Sequence, residues 1–194
     1  MSESIAWRER QGLTTLFAQL GPDQPTLCEG WKTADLAAHL VIREHRPDAA
    51  AGILFAPLAS WNNRVIAKFA PRFAQNISIL KRGAPIWSPI RWFDAQVNTL
   101  EMLIHHEDVR RGQPEWEPRD LAAIDAQLWS LVKRSSAFSS RKSPTSVTLA
   151  TPDGRTIPST GSSTVVGEPM ELLLYVMGRT GAARVKIKNQ SESA

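Results

Sequence analysis

Hydrophobic positions in the first 140 residues recur at helical spacing, and the pattern breaks where proline and glycine cluster. Leu13, Phe17 and Leu20 share one face of a first amphipathic helix from about Ser4 to Leu20, which "GPDQP" stops. "TLCEGW" follows as an irregular connector. Thr33 is the expected N-cap of a second helix, with Asp35 in the first turn, where negative charge suits the helix dipole. That helix runs through "ADLAAHLVIREHRPDAAAGIL", with Pro47 as a kink or a break. A third helical region, Pro57 to about Arg82, contains Pro71 and is expected in two pieces. A fourth helix spans about Ile90 to Arg111 and ends at "GQPEWEP". A fifth, from about Arg119 to Ala137, carries Leu121, Ile124, Leu128, Leu131 and Val132.

Beyond residue 140 the texture changes. "SSRKSP" has linker composition, and "TSVTLATPDGRTIPS" alternates β-branched residues around Asp153-Gly154, a hairpin signal. "STVVGEPMELLLYVMGR" predicts a short strand, a glycine turn and a helix opening at Glu168-Pro169. The terminal "KIKNQSESA" is expected to fray. The expectation is a mainly α protein: a helical bundle over residues 1–140 and a small α/β part over residues 141–194 with a frayed tail.

Composition narrows the function classes. Hydrophobic residues make up 42% and charged residues 22%, so the chain can bury a core and is not disordered. Cys28 is the single cysteine, which excludes an internal disulfide and fits a reducing, cytoplasmic setting. The opening "MSESIAWRER" lacks the apolar run of a signal peptide. The longest uncharged run, residues 49–63, is interrupted by Pro57 and is too short to cross a bilayer. The 23 basic against 19 acidic residues are a mild, scattered excess. Their densest group, "KRSSAFSSRK", lacks the aromatic interleaving of a single-strand binder, so a solvated face is preferred over a nucleic-acid partner.

Chemistry concentrates in "TLEMLIHHEDVRR". At ~100° per residue, His105 lies ~40° from Glu101 and Asp108 ~20° to the other side, whereas His106 lies ~140° away. Glu101 and His105 therefore flank the packed side, and His106 and Glu107 turn elsewhere. A carboxylate and an imidazole one turn apart suit a divalent metal, as in carboxylate bundles. His39, beside Leu36 and Leu40, is a better third ligand than His45, which sits in the charged run "REHR". His39, Glu101 and His105 make a His₂Glu set suited to zinc, with a position left for water or substrate. Cys28, with no base nearby in sequence, reads as a small buried hydrophobe. Trp61, Trp87 and Trp92 are candidates to line an apolar pocket.

At "TLCEGWKTADLAAHLVIREHRPDA" together with "TLEMLIHHEDVRR" the chain resembles the mycothiol-dependent maleylpyruvate isomerase family, within the wider DinB-like superfamily. The matching residues are Trp31, Asp35-Leu36, His39, Glu101, His105 and the run Asp108 to Arg111, with "GEPMELLLYVMGR" matching the small C-terminal part. The nearest resemblance is to a branch of metal-binding proteins of unassigned activity. It implies a DinB-like four-helix bundle of the up-down-down-up type. It also implies a divalent ion, most simply zinc, on His39, Glu101 and His105, and a low-molecular-weight thiol such as mycothiol as co-substrate. The C-terminal part is short for that family, which weakens its case for thiol binding.

On these grounds the expected activity is thiol transfer or isomerisation on an electrophilic small molecule, with a non-catalytic or regulatory metal-binding bundle as the alternative. Arg43 and Arg46, at four and seven residues from His39, share its stripe and are expected to hold carboxylates of substrate or thiol cofactor. Arg46 has a competing reading as a surface charge bridging acids. Asp108 is expected to orient a ligand imidazole, with an ion pair to Arg110 or Arg111 as the competing reading.

Overall fold

The computed structural model describes residues 4–46, 59–86, 88, 95–139 and 147–189. Contacts divide the chain into two compact units, Met1–Trp116 and Glu117–Ala194. The first unit holds helices α1 (Ile5–Leu20), α2 (Thr33–His45), α3 (Ala59–Phe69), α4 (Phe73–Arg82) and α5 (Ala95–Arg111). Ser4 caps α1 by accepting from Trp7 N at 3.2 Å, and Gly21 ends it at a φ of 81°, a left-handed value that suits glycine. The cap of α2 is Lys32 and not the expected Thr33: Asp35 accepts from Lys32 N at 3.0 Å. The Thr33 hydroxyl is drawn instead to Gly21 O, 2.6 Å away.

The helical region around Pro71 is indeed split. A 3-10 turn, Ala70–Arg72, separates α3 from α4 because proline lacks the N–H that a continuous helix needs. The buried Asn76 amide donates to Phe69 O at 2.9 Å at this break. Helix α1 packs along α4 and α5, and α2 along α3 and α4. Their shared core consists of Leu13, Phe17, Leu36, Ala37, Leu40, Val41, Leu80, Met102 and Val109. A second apolar cluster, Ala38, Ile42 and Ile66, fills the space between α2 and α3. The expected extension of α2 past Pro47, the start of α5 before residue 95, residues 140–144 of the expected linker, and Trp87 and Trp92 lie outside the described residues; Ser139, the linker's first residue, ends a helix.

Charges also enter this interior. From Met102 to Val109 every residue of α5 is buried, so His106 and Glu107, which turn away from the Glu101–His105 side, are covered as well. His106 Nδ1 lies 2.8 Å from Glu9 Oε2. A Cβ on Gly12 would stand 2.7 Å from the His106 ring, so α1 approaches α5 closely only with glycine there. Arg10 grips the fully buried Glu44 carboxylate with both Nη atoms and also donates to Leu80 O at 3.0 Å. Glu107 takes Arg110 at 2.9 Å and Arg111 at 2.6 Å.

The second unit holds a 3-10 turn, Ala122–Ile124, then α6 (Asp125–Ser139), β1 (Thr148–Ala150), β2 (Thr156–Ile157), β3 (Ser163–Val166), α7 (Pro169–Val176) and β4 (Lys186–Asn189). The sheet order is β2-β1-β3-β4, antiparallel except for the parallel pair β1 and β3. The expected Asp153-Gly154 hairpin joins β1 to β2, with Gly154 at a φ of 92°. Helix α6 packs on α7 within this unit, so the contacts divide ahead of α6 rather than near residue 140. The first four residues of the expected frayed tail form a strand. Lys186 to Asn189 pair with Val166 to Ser163, and residues 190–194 lie outside the described residues. All four side chains of β4 are exposed, so its backbone pairing left no burial pattern to read in the sequence.

The Arg10–Glu44 pair sets a stability expectation. Glu44→Ala leaves a buried guanidinium without its partner and should cost about 3–5 kcal/mol. Urea unfolding should show that loss, and the double replacement Arg10→Met with Glu44→Leu should restore most of it.

Candidate metal centre

Three elements converge on one point in the first unit. The loop before α2 places Trp31, α2 places His39, and α5 places Glu101 and His105. One ligand atom from each of His39, Glu101 and His105 lies within 4.8 Å of the other two. Donors around a tetrahedral ion at 2.0–2.2 Å stand about 3.4 Å apart, so small side-chain rotations suffice.

His39 decides whether an ion fits. Its residue is 7% exposed, and its Nδ1 is buried without a hydrogen-bond partner. Its ring lies 5.0 Å from the Trp31 ring and 5.5 Å from the His105 ring, centroid to centroid. Burial, then the neighbouring His105, pushes its pKa down to about 3 against the pull of Glu101, with Arg43 adding to the depression. The imidazole is therefore neutral near pH 7, the form a metal binds. An unpartnered buried nitrogen costs free energy that a bound ion would remove.

Glu101 lies 3.3 Å from His105 Nε2 and 3.7 Å from Arg43 Nε, and its side chain is 30% exposed. Burial raises its pKa, but the hydrogen bond and charge of His105 with the charges of Arg43 and His39 outweigh that and hold it at about 2. For His105, burial favours the neutral ring, yet hydrogen bonds to Asp108, Cys28 and Glu101 prevail and raise its pKa well above the ordinary value. Its Nδ1 faces Asp108 Oδ2 at 2.9 Å. The Asp108 side chain has no exposure. Carboxylate on one ring nitrogen and candidate ion on the other is the usual arrangement of a metal-binding histidine.

Arg43 reaches the cluster. It is buried, and its Nη1 donates to Asn98 Oδ1 at 3.1 Å while Nε faces Glu101. Arg46 lines a cavity with Trp61. His45 Nδ1 lies 3.3 Å from Val41 O and takes no part. Arg110 and Arg111, the competing partners for Asp108, reach Glu107.

Cys28 is where the sequence reading lacked information. Its Sγ donates to Asp108 Oδ2 at 3.2 Å and lies 3.9 Å from His105 Nδ1, so a base does stand nearby. Cys28, His105 and Asp108 form a second group of ligand-type atoms meeting at the His105 ring. The loop is pinned by Leu27 N donating to Asp108 O at 2.9 Å. Gly112 makes room for it, since a Cβ there would fall 2.7 Å from Pro25 O. A glycine just past a helix end was the one local clue, and it does not name the loop it accommodates.

With this geometry in view, comparison with solved structures is informative. The crystal structure of the mycothiol-dependent maleylpyruvate isomerase superposes with a TM-score of 0.56 at 15% identity, covering 95% of this chain and 90% of that one. A histidine-to-alanine mutant of the mycothiol-dependent maleylpyruvate isomerase superposes with a TM-score of 0.56 at 13% identity and the same coverage. The chain shares the mainly α fold of these structures. No protein-family model matches the chain, and no curated protein matches it. Among the described residues no helix is long and apolar enough to cross a membrane.

The perturbed imidazole predicts a pH profile for the metal-free protein. Between pH 6.5 and about 3 the unfolded chain protonates His39 and the folded chain does not, so stability falls as pH falls through that window. Glu101 adds a loss between 4.5 and about 2. His105 acts oppositely, adding stability below 6.5 that disappears as pH rises through its higher folded value. In urea titrations with chelator present, His39→Phe should flatten the slope between pH 6.5 and 3. An unchanged slope would mean that His39 titrates alike in both states.

Proposed function

We propose that His39, Glu101 and His105 bind one divalent ion, zinc by the character of the donors, and that the protein is a metal-dependent thiol transferase or isomerase. The observation that carries the first part is the convergence of ligand atoms of His39, Glu101 and His105 within 4.8 Å of one another, with the buried His39 ring holding an Nδ1 that has no hydrogen-bond partner. The fold shared with a mycothiol-dependent isomerase supports a low-molecular-weight thiol, mycothiol or a relative, as co-substrate with an electrophilic small molecule. The single reduced cysteine supports a cytoplasmic setting.

A bound zinc ion would supply Lewis acidity and lower the pKa of a coordinated thiol or water. The chain's own groups prepare that site. Asp108 accepts from His105 Nδ1 and fixes the ring's orientation, so that a bound ion would take the place of the Nε2 proton. His105, and after it Arg43, keep Glu101 ionised. Trp31 lies against the His39 ring and limits water on that side. The partial exposure of Glu101 leaves an approach for a small molecule. In this scheme Arg43 and Asp108 act on the ligands, while Arg46, farther along α2, is the candidate for holding an acidic group of substrate or thiol.

A second reading, a regulatory bundle with a structural ion, draws on the burial of both imidazoles. It requires a fourth protein ligand, whereas a catalytic ion keeps a position open. Elemental analysis should find about one ion per chain, lost in His39→Ala, Glu101→Ala and His105→Ala; metal retained by all three variants would place the site elsewhere. Asp108→Asn should weaken metal affinity by about 10–100-fold without abolishing it. Thiol consumption with electrophilic acceptors, present in the loaded protein and absent from the three alanine variants, separates the catalytic reading from the structural one.

A further inference from the structure

A second concave surface lies at the far end of α2. Arg46, Trp61, Arg64, Val65, Lys68 and Phe69 line a cavity of about 330 Å³, within the range that holds small organic molecules. Trp61 with Val65 and Arg64 with Lys68 are each four residues apart, so one face of α3 supplies most of the wall. Trp61, Val65 and Phe69 pack that wall against Ala38, Ile42 and Ile66. Arg64 and Lys68 stand exposed at its rim.

The charge of this lining is one-sided. Among the described residues it carries three cations and no acid. Arg64 and Lys68, one turn apart on the same face, repel each other, and an anion seated between them relieves that repulsion. The polar part of a ligand for this cavity is therefore negative. The remaining surface, an indole, a phenyl ring and a valine, takes an apolar body and prefers a ring or a branched chain to a sugar.

We propose that this cavity binds a small organic acid with an apolar body. Its carboxylate sits between Arg64 and Lys68 beside Arg46, with a guanidinium able to grip both oxygens, and its body lies against Trp61, Val65 and Phe69. The lining shares Arg46 with the proposed function but no residue with His39, Glu101 and His105, so a test at Arg64 and Lys68 is independent of the ion.

Isothermal titration of the full chain with 2-naphthoate, and with the uncharged 2-naphthamide, tests it. Naphthoate should bind, and the amide should bind about tenfold more weakly or worse, as expected for loss of a charge-assisted hydrogen bond. Arg64→Ala with Lys68→Ala should weaken naphthoate by about the same factor with an unchanged circular dichroism spectrum, since both side chains are exposed. Trp61→Ala should weaken both compounds. Chelator should change nothing, which separates this cavity from the metal reading. Equal affinity for acid and amide, undiminished binding by the double variant, or no binding of naphthoate each overturns the proposal.

Discussion

A carboxylate sealed completely from water must find donors inside the protein, and Asp108 meets this constraint with the His105 ring and the Cys28 thiol. The rest of the first unit's geometry follows from that arrangement. Holding Nδ1 of His105 turns Nε2 toward Glu101, and Glu101 is held in turn by Arg43. His39 completes the cluster from the neighbouring helix, pressed between the Trp31 and His105 rings. A cluster assembled this way is stiff, because each candidate ligand is restrained by a group that is itself buried or bonded.

The same rule governs the charges that surround the cluster. Glu9 with His106, Arg10 with Glu44, and Glu107 with two arginines place polar and ionic contacts, the latter from the arginines, where a simpler bundle would put leucines. Such pairs contribute little net stability compared with apolar packing, yet separating them is expensive. Their effect here is positional: Glu9 and Arg10 tie α1 to α5 and to α2 at consecutive residues. This fixes the rotation of the helices that carry His39 and His105.

The second unit is built on different terms. Its apolar content lies in α6, α7 and the middle strands, where Leu128, Val132, Leu149, Val165, Leu172 and Leu173 are buried. Strand β4 adds backbone pairing and no buried side chain. Lysines flank Ile187 on that outer strand, which suits an edge that must not recruit another chain.

The sequence by itself determined the local features. Helical periodicity, the break at Pro71, the Asp153-Gly154 turn and the four-residue step from Glu101 to His105 depend only on neighbours a few positions away, and they were readable there. The choice of His39 over His45 came from its leucine neighbours. Tertiary structure alone decided the pairings across long separations: Cys28 with Asp108, Glu9 with His106, Arg10 with Glu44, and β4 with β3. It also decided that α5 is covered on all sides between Met102 and Val109, which a helical wheel read in isolation cannot show. The physical reason is that periodicity records which residues share a face, whereas the identity of whatever covers that face is set by chain segments far away in sequence.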